Sequence, residues 1–311
     1  MADVVTEGRG RAVKARAQIR LLPDGRRLHM SDGPIDLIIE AFGVRGEIEA
    51  AYGAAAARFV TVLDELCGEL QFLRTPSCEN GPLPESAIAR RMVRAVSPYA
   101  SWTFVTPMAA VAGAVAEEIL ESMITAAKLS RAYVNDGGDI ALYLAAGERF
   151  VVGMIELRAS ASLFGTTTID SARPVRGIAT SGWRGRSFSL GIADAVTVLA
   201  DTAAQADAAA TIIANAVDLP GHPKIGRARA CDLAPDSDLC DRLVTQSVGK
   251  LAIGEIRTAL DSGVRVAEFL RDSGLIRGAA LHLQRETKVV DSEESSELAA
   301  SSSLTKGLAH A

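Results

Sequence analysis

The chain has 311 residues, of which 48% are hydrophobic and 5% aromatic, so its core is built mainly from Ala, Val, Leu and Ile. The net charge of −5 gives no reason to expect nucleic acid as a partner. No apolar run reaches membrane-spanning length without a charge, and residues 1–20 lack the apolar region of a secretory signal. These features predict a soluble, cytoplasmic protein with no membrane partner.

Four cysteines are scattered along the chain, at Cys67, Cys78, Cys231 and Cys240, without C-x-x-C spacing. The sequence therefore gives no support for a zinc or thioredoxin-type site. Cys67 falls on an apolar helical face and is interpreted as a core residue. Cys78 falls in a loop, where either a reactive thiol or a solvated bystander is compatible with the pattern.

The first part of the chain predicts an arm, a small sheet and a long helix. Residues 1–14 are polar and basic, which indicates a flexible arm. Residues 17–30 read as two strands around a Pro-Asp-Gly turn, and residues 35–42 extend this sheet. Apolar side chains at helical spacing predict a long helix over residues 46–72.

The rest of the chain alternates predicted helices and strands. Thr106 is a candidate N-cap for a helix whose first half has small residues all round, which lets other backbone or a ligand approach closely. The predicted helices are 86–96, with its arginines facing solvent, then 109–129, 202–217, 237–248 and 254–272. The predicted strands are 132–135, 140–145, 150–157, 175–180, 187–200 and 278–290.

An irregular polar connection is expected over residues 159–173, and the composition of residues 291–311 predicts a disordered tail. The pattern as a whole predicts an α+β fold, in which long helices pack on mixed or antiparallel sheets. Residues 15–290 are expected to form a single domain.

Two adjacent glycines, Gly137 and Gly138, stand between two predicted strands and are flanked by Asp136 and Asp139. Glycine allows positive φ or close approach of a ligand, and an Asp carboxylate can accept hydrogen bonds from ligand hydroxyls. The same pattern is typical of an ordinary hairpin, so both interpretations stay open.

Asp207 and Thr211 are four residues apart on an otherwise apolar, Ala-rich helix, so they share one face. A carboxylate and a hydroxyl in such a place cost desolvation energy unless they bind something, and a few oxygen ligands suit Mg²⁺. Alternatively, Asp207 stabilises the N-terminus of the helix and Thr211 hydrogen-bonds to a backbone carbonyl.

Thr180-Ser181-Gly182 closes a predicted strand and can either present N–H and O–H groups to a phosphate or form a plain turn. Asp194 lies within a predicted apolar strand, where it would either face solvent or hydrogen-bond a neighbouring loop.

Four segments resemble the ApbE superfamily, in the same order along the chain. Val134 to Ile140 resembles its V-N-x-G-G-D/N-I segment, Ala179 to Gly182 its T-S-G turn, and Ala206 to Thr211 its A-D-A-x-x-T helix. Residues 109–117 take the place of its G-x-A-K-G-Y-A-x-D segment. Characterised members are Mg²⁺-dependent FAD:protein FMN transferases, which cleave the FAD pyrophosphate and attach FMN to a Thr or Ser of a target protein; some bind or hydrolyse FAD instead.

The resemblance implies an ApbE-like (T-fold-like) domain with a site for Mg²⁺ and FAD. The implied metal ligands are Asp207, Thr211 and a main-chain carbonyl near Ala109. The residues implied to lie along the flavin nucleotide are Gly137, Gly138, Asp139, Thr180, Ser181 and Gly182.

The chain departs from the family pattern at two positions, one of which is the family's proposed catalytic His. Ala112 stands where the family has Lys, and the His segment after T-S-G is absent. Arg186 stands roughly where that His would be, and Arg cannot act as a base at neutral pH. His222, in a Pro-Gly-His-Pro turn, could replace the missing His or be a plain turn residue.

The pattern from Ser187 to Asp194 resembles the uncharacterised, cytoplasmic branch of the superfamily, whose members have been linked in anaerobes to sulfur incorporation during homocysteine synthesis.

Three functions follow from these observations. The first is a protein that binds a flavin nucleotide or related pyrophosphate ligand with Mg²⁺, with altered chemistry. The second is a true FMN transferase, which a co-encoded target protein with a flavinylation sequence would favour. The third is an accessory protein of sulfur or cofactor metabolism, which an essential Cys78 or Cys231 would favour. A protein partner and a homodimer both stay open.

Overall fold

The computed structural model describes residues 16–79, 81–156 and 162–291. The predicted arm at residues 1–14 lies outside the described residues, as does the predicted tail after residue 291. Asp291 itself, which the sequence assigned to that tail, is the last residue of the last strand.

The elements alternate along the chain much as the sequence predicted. The strands are β1 Gln18–Leu21, β2 Leu28–Asp32, β3 Ile35–Phe42, β4 Arg131–Asp136, β5 Asp139–Leu144, β6 Arg149–Glu156, β7 Ser162–Asp170, β8 Gly177–Ser181, β9 Ala195–Ala200, β10 Ile225–Arg229, β11 Leu243–Val248, β12 Gly278–Leu283 and β13 Glu286–Asp291. The helices are α1 Arg45–Gly68, α2 Leu70–Leu73, α3 Ala87–Val96, α4 Val111–Ala126, α5 Ala203–Ala216, α6 Ala230–Leu233 and α7 Ile253–Asp272. Short 3₁₀ turns cover Ser97–Tyr99 and Pro107–Ala110.

Nine of these strands form one sheet in the order β1-β2-β3-β4-β5-β8-β9-β12-β13. Every neighbouring pair in it is antiparallel. The four remaining strands form two ribbons, β6-β7 and β10-β11. The α+β class with long helices on an antiparallel sheet is therefore confirmed.

The four long helices α1, α4, α5 and α7 pack side by side on one face of the sheet. Strand residues alternate between the two faces, and in β4 Ala132 and Val134 point into the helix layer. On the other face, a smaller cluster that includes Tyr133, Leu142 and Ile178 packs under the β6-β7 ribbon. The face of the sheet therefore decides whether a side chain meets the helices.

Helices α4 and α5 approach each other closely because Gly113 lies against the start of α5. A Cβ at this position would be 2.3 Å from the carbonyl oxygen of Ala203. The small residues of both helices, which the sequence indicated, are buried between them. This close packing places the backbone of α4 beside the polar residues of α5.

Four predictions about elements are wrong. The single strand predicted over 278–290 is a hairpin, because the chain turns after Leu283 and β13 pairs back on β12. Within the connection predicted as irregular, β7 pairs with β6 around a bulge, which reflects β-branched residues such as those at 166–169. The helix predicted over 237–248 is instead β11, because its β-branched residues pair with β10. The strand predicted over 187–200 begins only at Ala195, because the preceding backbone is held by the end of α5, where Ile192 N–H donates to Val217 O at 2.8 Å.

Two smaller corrections concern the arginines of α3 and the cap at Thr106. Arg91 does not face solvent; its Nη1 lies 2.8 Å from Glu117 Oε2 on α4. Thr106 makes no capping hydrogen bond. Its buried hydroxyl donates instead to Asp238 Oδ2 at 2.5 Å, which fastens the segment before β11 to the start of the 3₁₀ turn.

Candidate functional site

The turn between β4 and β5 contains the two glycines that the sequence singled out. Gly137 has φ +64° and Gly138 has φ +119°, both of which are unfavourable for other residues. Gly138 N–H donates to Asn135 Oδ1 at 2.8 Å, and Asp136 pairs with Asp139 across the hairpin. The backbone is therefore a two-residue hairpin turn, and its chemical interest lies in the flanking carboxylates.

Asp136 is only 5% exposed and follows Ala132 and Val134 on the helix-facing side of β4. Burial raises the pKa of Asp136 to about 7, although the Asp36 amide and the charge of Arg186 act in the opposite direction. From the sequence, Asp136 was either a turn residue or an acceptor for ligand hydroxyls, and it was not among the predicted cofactor or metal ligands. The two-residue alternation of β4 was the signal that this carboxylate would be buried.

Asp139 begins β5 and lies on the same side of the sheet. Burial raises the pKa of Asp139 to about 7, with a further contribution from the negative charge of Asp136. Its Oδ1 accepts a hydrogen bond from the Thr180 N–H at 3.2 Å, which links the glycine turn to the end of β8.

Asp207 lies just over one turn into α5 and interacts electrostatically with both of these carboxylates. Its side chain retains some contact with solvent, yet burial raises its pKa well above the ordinary value, and the charges of Asp139 and Asp136 raise it further. The three carboxylates thus lie within electrostatic range of one another, and the sequence had assigned two of them, Asp139 and Asp207, to the site.

The Asp207 carboxylate also accepts hydrogen bonds from the first turn of α4, from Gly113 N–H at 3.1 Å and from Ala112 N–H. The alternative role at the N-terminus of α5 is filled by Thr202, whose hydroxyl accepts from Gln205 N–H at 3.3 Å. Asp207 therefore stabilises the N-terminus of α4 rather than that of its own helix.

A half-buried ion pair and a backbone hydrogen bond link α3, α4 and the start of α5. Glu117 on α4 pairs with Arg91, and its other oxygen accepts from Ala204 N–H at 2.7 Å. This arrangement fixes the position of the Asp207 side chain relative to the amides of α4.

Of the other two implied metal ligands, Thr211 lies on the same helix as Asp207 and Ala109 lies in a turn packed against that helix. Thr211 lies one turn further along α5, and its hydroxyl makes no hydrogen bond to any described residue, so the alternative bond to a backbone carbonyl is not formed. Ala109 lies in the 3₁₀ turn Pro107–Ala110, which packs against α5.

The three residues at the end of β8 have different surroundings. The Thr180 hydroxyl lies 2.9 Å from Thr197 Oγ1, on the face of the sheet opposite to the helices, so only its backbone faces Asp139. Ser181 is partly exposed and alternates onto the helix-facing side. Gly182 is buried, and a Cβ there would be 2.5 Å from Asp194 O, which gives this glycine a packing role.

The loop that follows carries two arginines with different environments. Arg184 Nε donates to Asp194 Oδ1 at 2.9 Å, and its guanidinium lies over the Trp183 ring. Arg186 extends over the glycine turn, with Nη2 3.8 Å from Asp136 Oδ1. Buried Asp194 thus hydrogen-bonds the neighbouring loop, which is one of the two alternatives the sequence allowed.

The other candidate residues lie outside this cluster. His222 follows the C-terminal end of α5, and its Nε2 is 3.0 Å from Glu255 Oε1 on α7. Cys67 is exposed, which corrects its assignment to the core, and Cys78 is exposed as well. A hydrogen bond to Asp241 raises the pKa of the Cys231 thiol, which disfavours a reactive thiolate.

Two results bear on metals and membranes. Among the described residues, no three His, Cys, Asp or Glu side chains are arranged to hold a metal by themselves. The implied set is different, since it takes one carboxylate, one hydroxyl and one carbonyl oxygen, and it sits where neighbouring carboxylates favour a cation. By donor type, this set of oxygen ligands suits Mg²⁺. In the part of the chain that the structure describes, no helix combines the length and apolar character needed to span a bilayer.

Comparison with known proteins identifies the family. A family model described as AbpE bacteria matches residues 19–290. A UPF0280 protein from Methanosarcina barkeri is 37% identical over 140 residues, which are 44% of this chain and 52% of that protein. Another from Methanococcoides burtonii is 39% identical over 124 residues, which are 39% of this chain and 50% of that protein. The chain therefore spans about half the length of the curated relatives it matches.

Among solved structures, a histidine-to-glycine mutant of the flavin transferase ApbE from Vibrio cholerae aligns at 13% identity and a TM-score of 0.46, over 86% of this chain and 97% of that one. A similarity at this level adds nothing to the assignment, which follows from the family model. The chain belongs to the AbpE bacteria family and is a member of the ApbE-like superfamily.

Proposed function

We propose that this protein binds FAD, or a related ligand that contains a pyrophosphate, together with Mg²⁺. The observation that carries the proposal is that Asp136, Asp139 and Asp207 lie within electrostatic range of one another beside the glycine turn; burial raises the pKa of all three, and the neighbouring carboxylates raise the pKa of Asp139 and Asp207 further. Such a cluster is stabilised by a cation, and a pyrophosphate supplies the further oxygen ligands that Mg²⁺ requires.

Asp207, Thr211 and the carbonyl near Ala109 are the residues that would hold Mg²⁺. When bound there, Mg²⁺ would neutralise charge on the pyrophosphate. Gly137 and Gly138 have no side chain, which lets the backbone approach a nucleotide. Asp139 is oriented by the Thr180 N–H at 3.2 Å, so its carboxylate is held in place before a ligand arrives.

The flavin part of the proposal comes from the resemblance of these motifs to those of characterised ApbE transferases. Transfer of FMN to a protein needs a base to take the proton of the accepting hydroxyl. The loop from 182 to 194 has no histidine, and Arg186 cannot accept that proton. His222 is held by Glu255 beyond the far end of α5 from Asp207. Binding without protein flavinylation is therefore favoured over the transferase function.

Calorimetric titration of metal-stripped protein with FAD, with and without Mg²⁺, tests the proposal. The wild type should bind FAD tightly only when Mg²⁺ is present. Asp207→Asn should lose the effect of Mg²⁺ with little change in circular dichroism, whereas Asp236→Asn, at an exposed carboxylate, should behave as the wild type.

Absence of FAD binding under both conditions would refute the proposal, and Mg²⁺-dependent binding by Asp207→Asn would refute the metal assignment. Chromatography of the titrated mixture for FMN and AMP separates a binder from an enzyme that cleaves the pyrophosphate. Mass spectrometry of a co-encoded protein would detect FMN transfer.

A further inference from the structure

Arg186 differs from Arg184 in the same loop because no described residue holds its guanidinium closely. Its side chain is 65% exposed, and its one described ion pair is the 3.8 Å contact with Asp136. None of its N–H groups hydrogen-bonds to another described residue. The contact is long and the guanidinium lies mostly in solvent, so this pair holds the Arg186 side chain only weakly.

Gly137, which lies below the guanidinium, leaves room for it because it has no side chain. A Cβ on Gly137 would lie 2.1 Å from Arg186 Nη2, so any other residue at that position would displace the guanidinium. The loop itself is fastened by the neighbouring residues, since Trp183 Nε1 and Arg184 Nε both donate to the buried Asp194 at 3.1 and 2.9 Å. Arg184 is therefore hydrogen-bonded to Asp194, whereas the N–H donors of Arg186 make no hydrogen bond to a described residue.

The positive charge of Arg186 also suits the negative charge of the proposed pyrophosphate ligand. A pyrophosphate beside three carboxylates is repelled unless positive charge faces it. Mg²⁺ at Asp207 would supply positive charge on the helix side, and Arg186 supplies it on the side of the loop. A guanidinium matches phosphate oxygens with two parallel hydrogen bonds, which a lysine ammonium cannot do.

We infer that Arg186 binds the phosphate groups of the ligand and is a specificity-determining residue of the site, selecting nucleotides with a diphosphate over the uncharged flavin. This inference rests on the proposed function. Arg186 stands roughly where related enzymes have a histidine. Its role here is to bind the charged phosphate groups, not to transfer a proton.

Calorimetric titrations in the presence of Mg²⁺ test the inference, with FAD, riboflavin and inorganic pyrophosphate as probes. Arg186→Ala should weaken FAD binding at least about tenfold, as expected for the loss of a charge-assisted contact, and leave riboflavin binding unchanged. Arg186→Lys should give an intermediate loss because it keeps the charge and loses the paired geometry. Arg94→Ala, at an exposed arginine of α3, is the control with the same charge change and should bind as the wild type. Thermal unfolding of all four proteins checks that the fold is retained.

The outcomes separate this inference from the proposed function. If the wild type binds FAD and Arg186→Ala binds it equally well, the inference is wrong and the proposed function stands. If the wild type does not bind FAD but binds pyrophosphate in an Arg186-dependent way, the inference stands and the flavin assignment is wrong. If the wild type binds neither probe, both are wrong. Equal losses for FAD and riboflavin would also overturn the inference, because they would indicate a general change in the site.

Discussion

Asp136 offers a test of the acidic cluster that needs no ligand. Its carboxylate is 5% exposed, and burial raises its pKa from 3.8 to about 7. Between these two pH values the folded protein holds a proton that the unfolded chain has lost, so the free energy of unfolding falls as pH rises through this window. The stability is fully retained below about pH 4, where both states are protonated, and the loss is complete above the folded-state pKa of about 7.

The size of the effect follows from the shift. A change of one pKa unit corresponds to about 1.4 kcal/mol, so a rise from 3.8 to about 7 sets an upper limit of roughly 4 kcal/mol on the destabilisation above neutral pH. Asp136→Asn removes the charge and keeps the shape, although a buried amide that is poorly hydrogen-bonded costs about 1–3 kcal/mol. That cost does not vary with pH. The stability of the variant relative to the wild type should therefore increase by about 2–3 kcal/mol from pH 5 to pH 8.

Urea unfolding of metal-stripped protein at pH 5, 6, 7 and 8 and constant ionic strength measures this difference. Asp236→Asn has the same charge change at an exposed site and is expected to show no comparable trend. The account of the acidic cluster is wrong if the difference between Asp136→Asn and the wild type is the same at pH 5 and pH 8, or if it shrinks as pH rises.

Two other predictions concern the glycine turn and the segment before α4. Gly137→Ala and Gly147→Ala should each lower the free energy of unfolding by about 1–2 kcal/mol, because both glycines have positive φ. Only Gly137→Ala should also weaken FAD binding, because its Cβ would meet Arg186. Equal losses of FAD binding for the two variants in calorimetry would contradict this. Thr106→Val should lower the free energy of unfolding by about 1–2 kcal/mol because it removes the hydrogen bond to Asp238; urea unfolding that matches the wild type would show that the bond contributes nothing.

Local patterns in the sequence were enough to predict much of the fold. The Asp-Gly turn predicted the first hairpin, since Asp24 Oδ1 accepts hydrogen bonds from the amides of Arg26 and Arg27. Helical spacing predicted the long helices, which need only an apolar face. β7 and β11 were missed because each is specified by its partner strand, and such pairing is not visible in a single segment.

The site was predictable in its parts and not in its assembly. The motifs indicated Asp139 and Asp207, but their proximity depends on how α5 packs on the sheet beside β5 and β8, which the sequence does not reveal. The face to which Thr180 points depends on the register of β8 with β9, so its hydroxyl pairs with Thr197 away from the helices. The role of Arg186 depends on how Asp194 fastens the loop, a contact between residues whose relation the sequence does not reveal.

Asp207 is proposed to bind a divalent cation together with the pyrophosphate of a nucleotide. The most direct measurement is anomalous X-ray scattering from crystals grown with Mn²⁺ and FAD, in which Mn²⁺ reports the position of Mg²⁺. We expect an anomalous peak at the Asp207 carboxylate, next to Thr211 and the FAD phosphates, and no such peak in Asp207→Asn crystals. Bound FAD without such a peak, or a peak at another site, would contradict it.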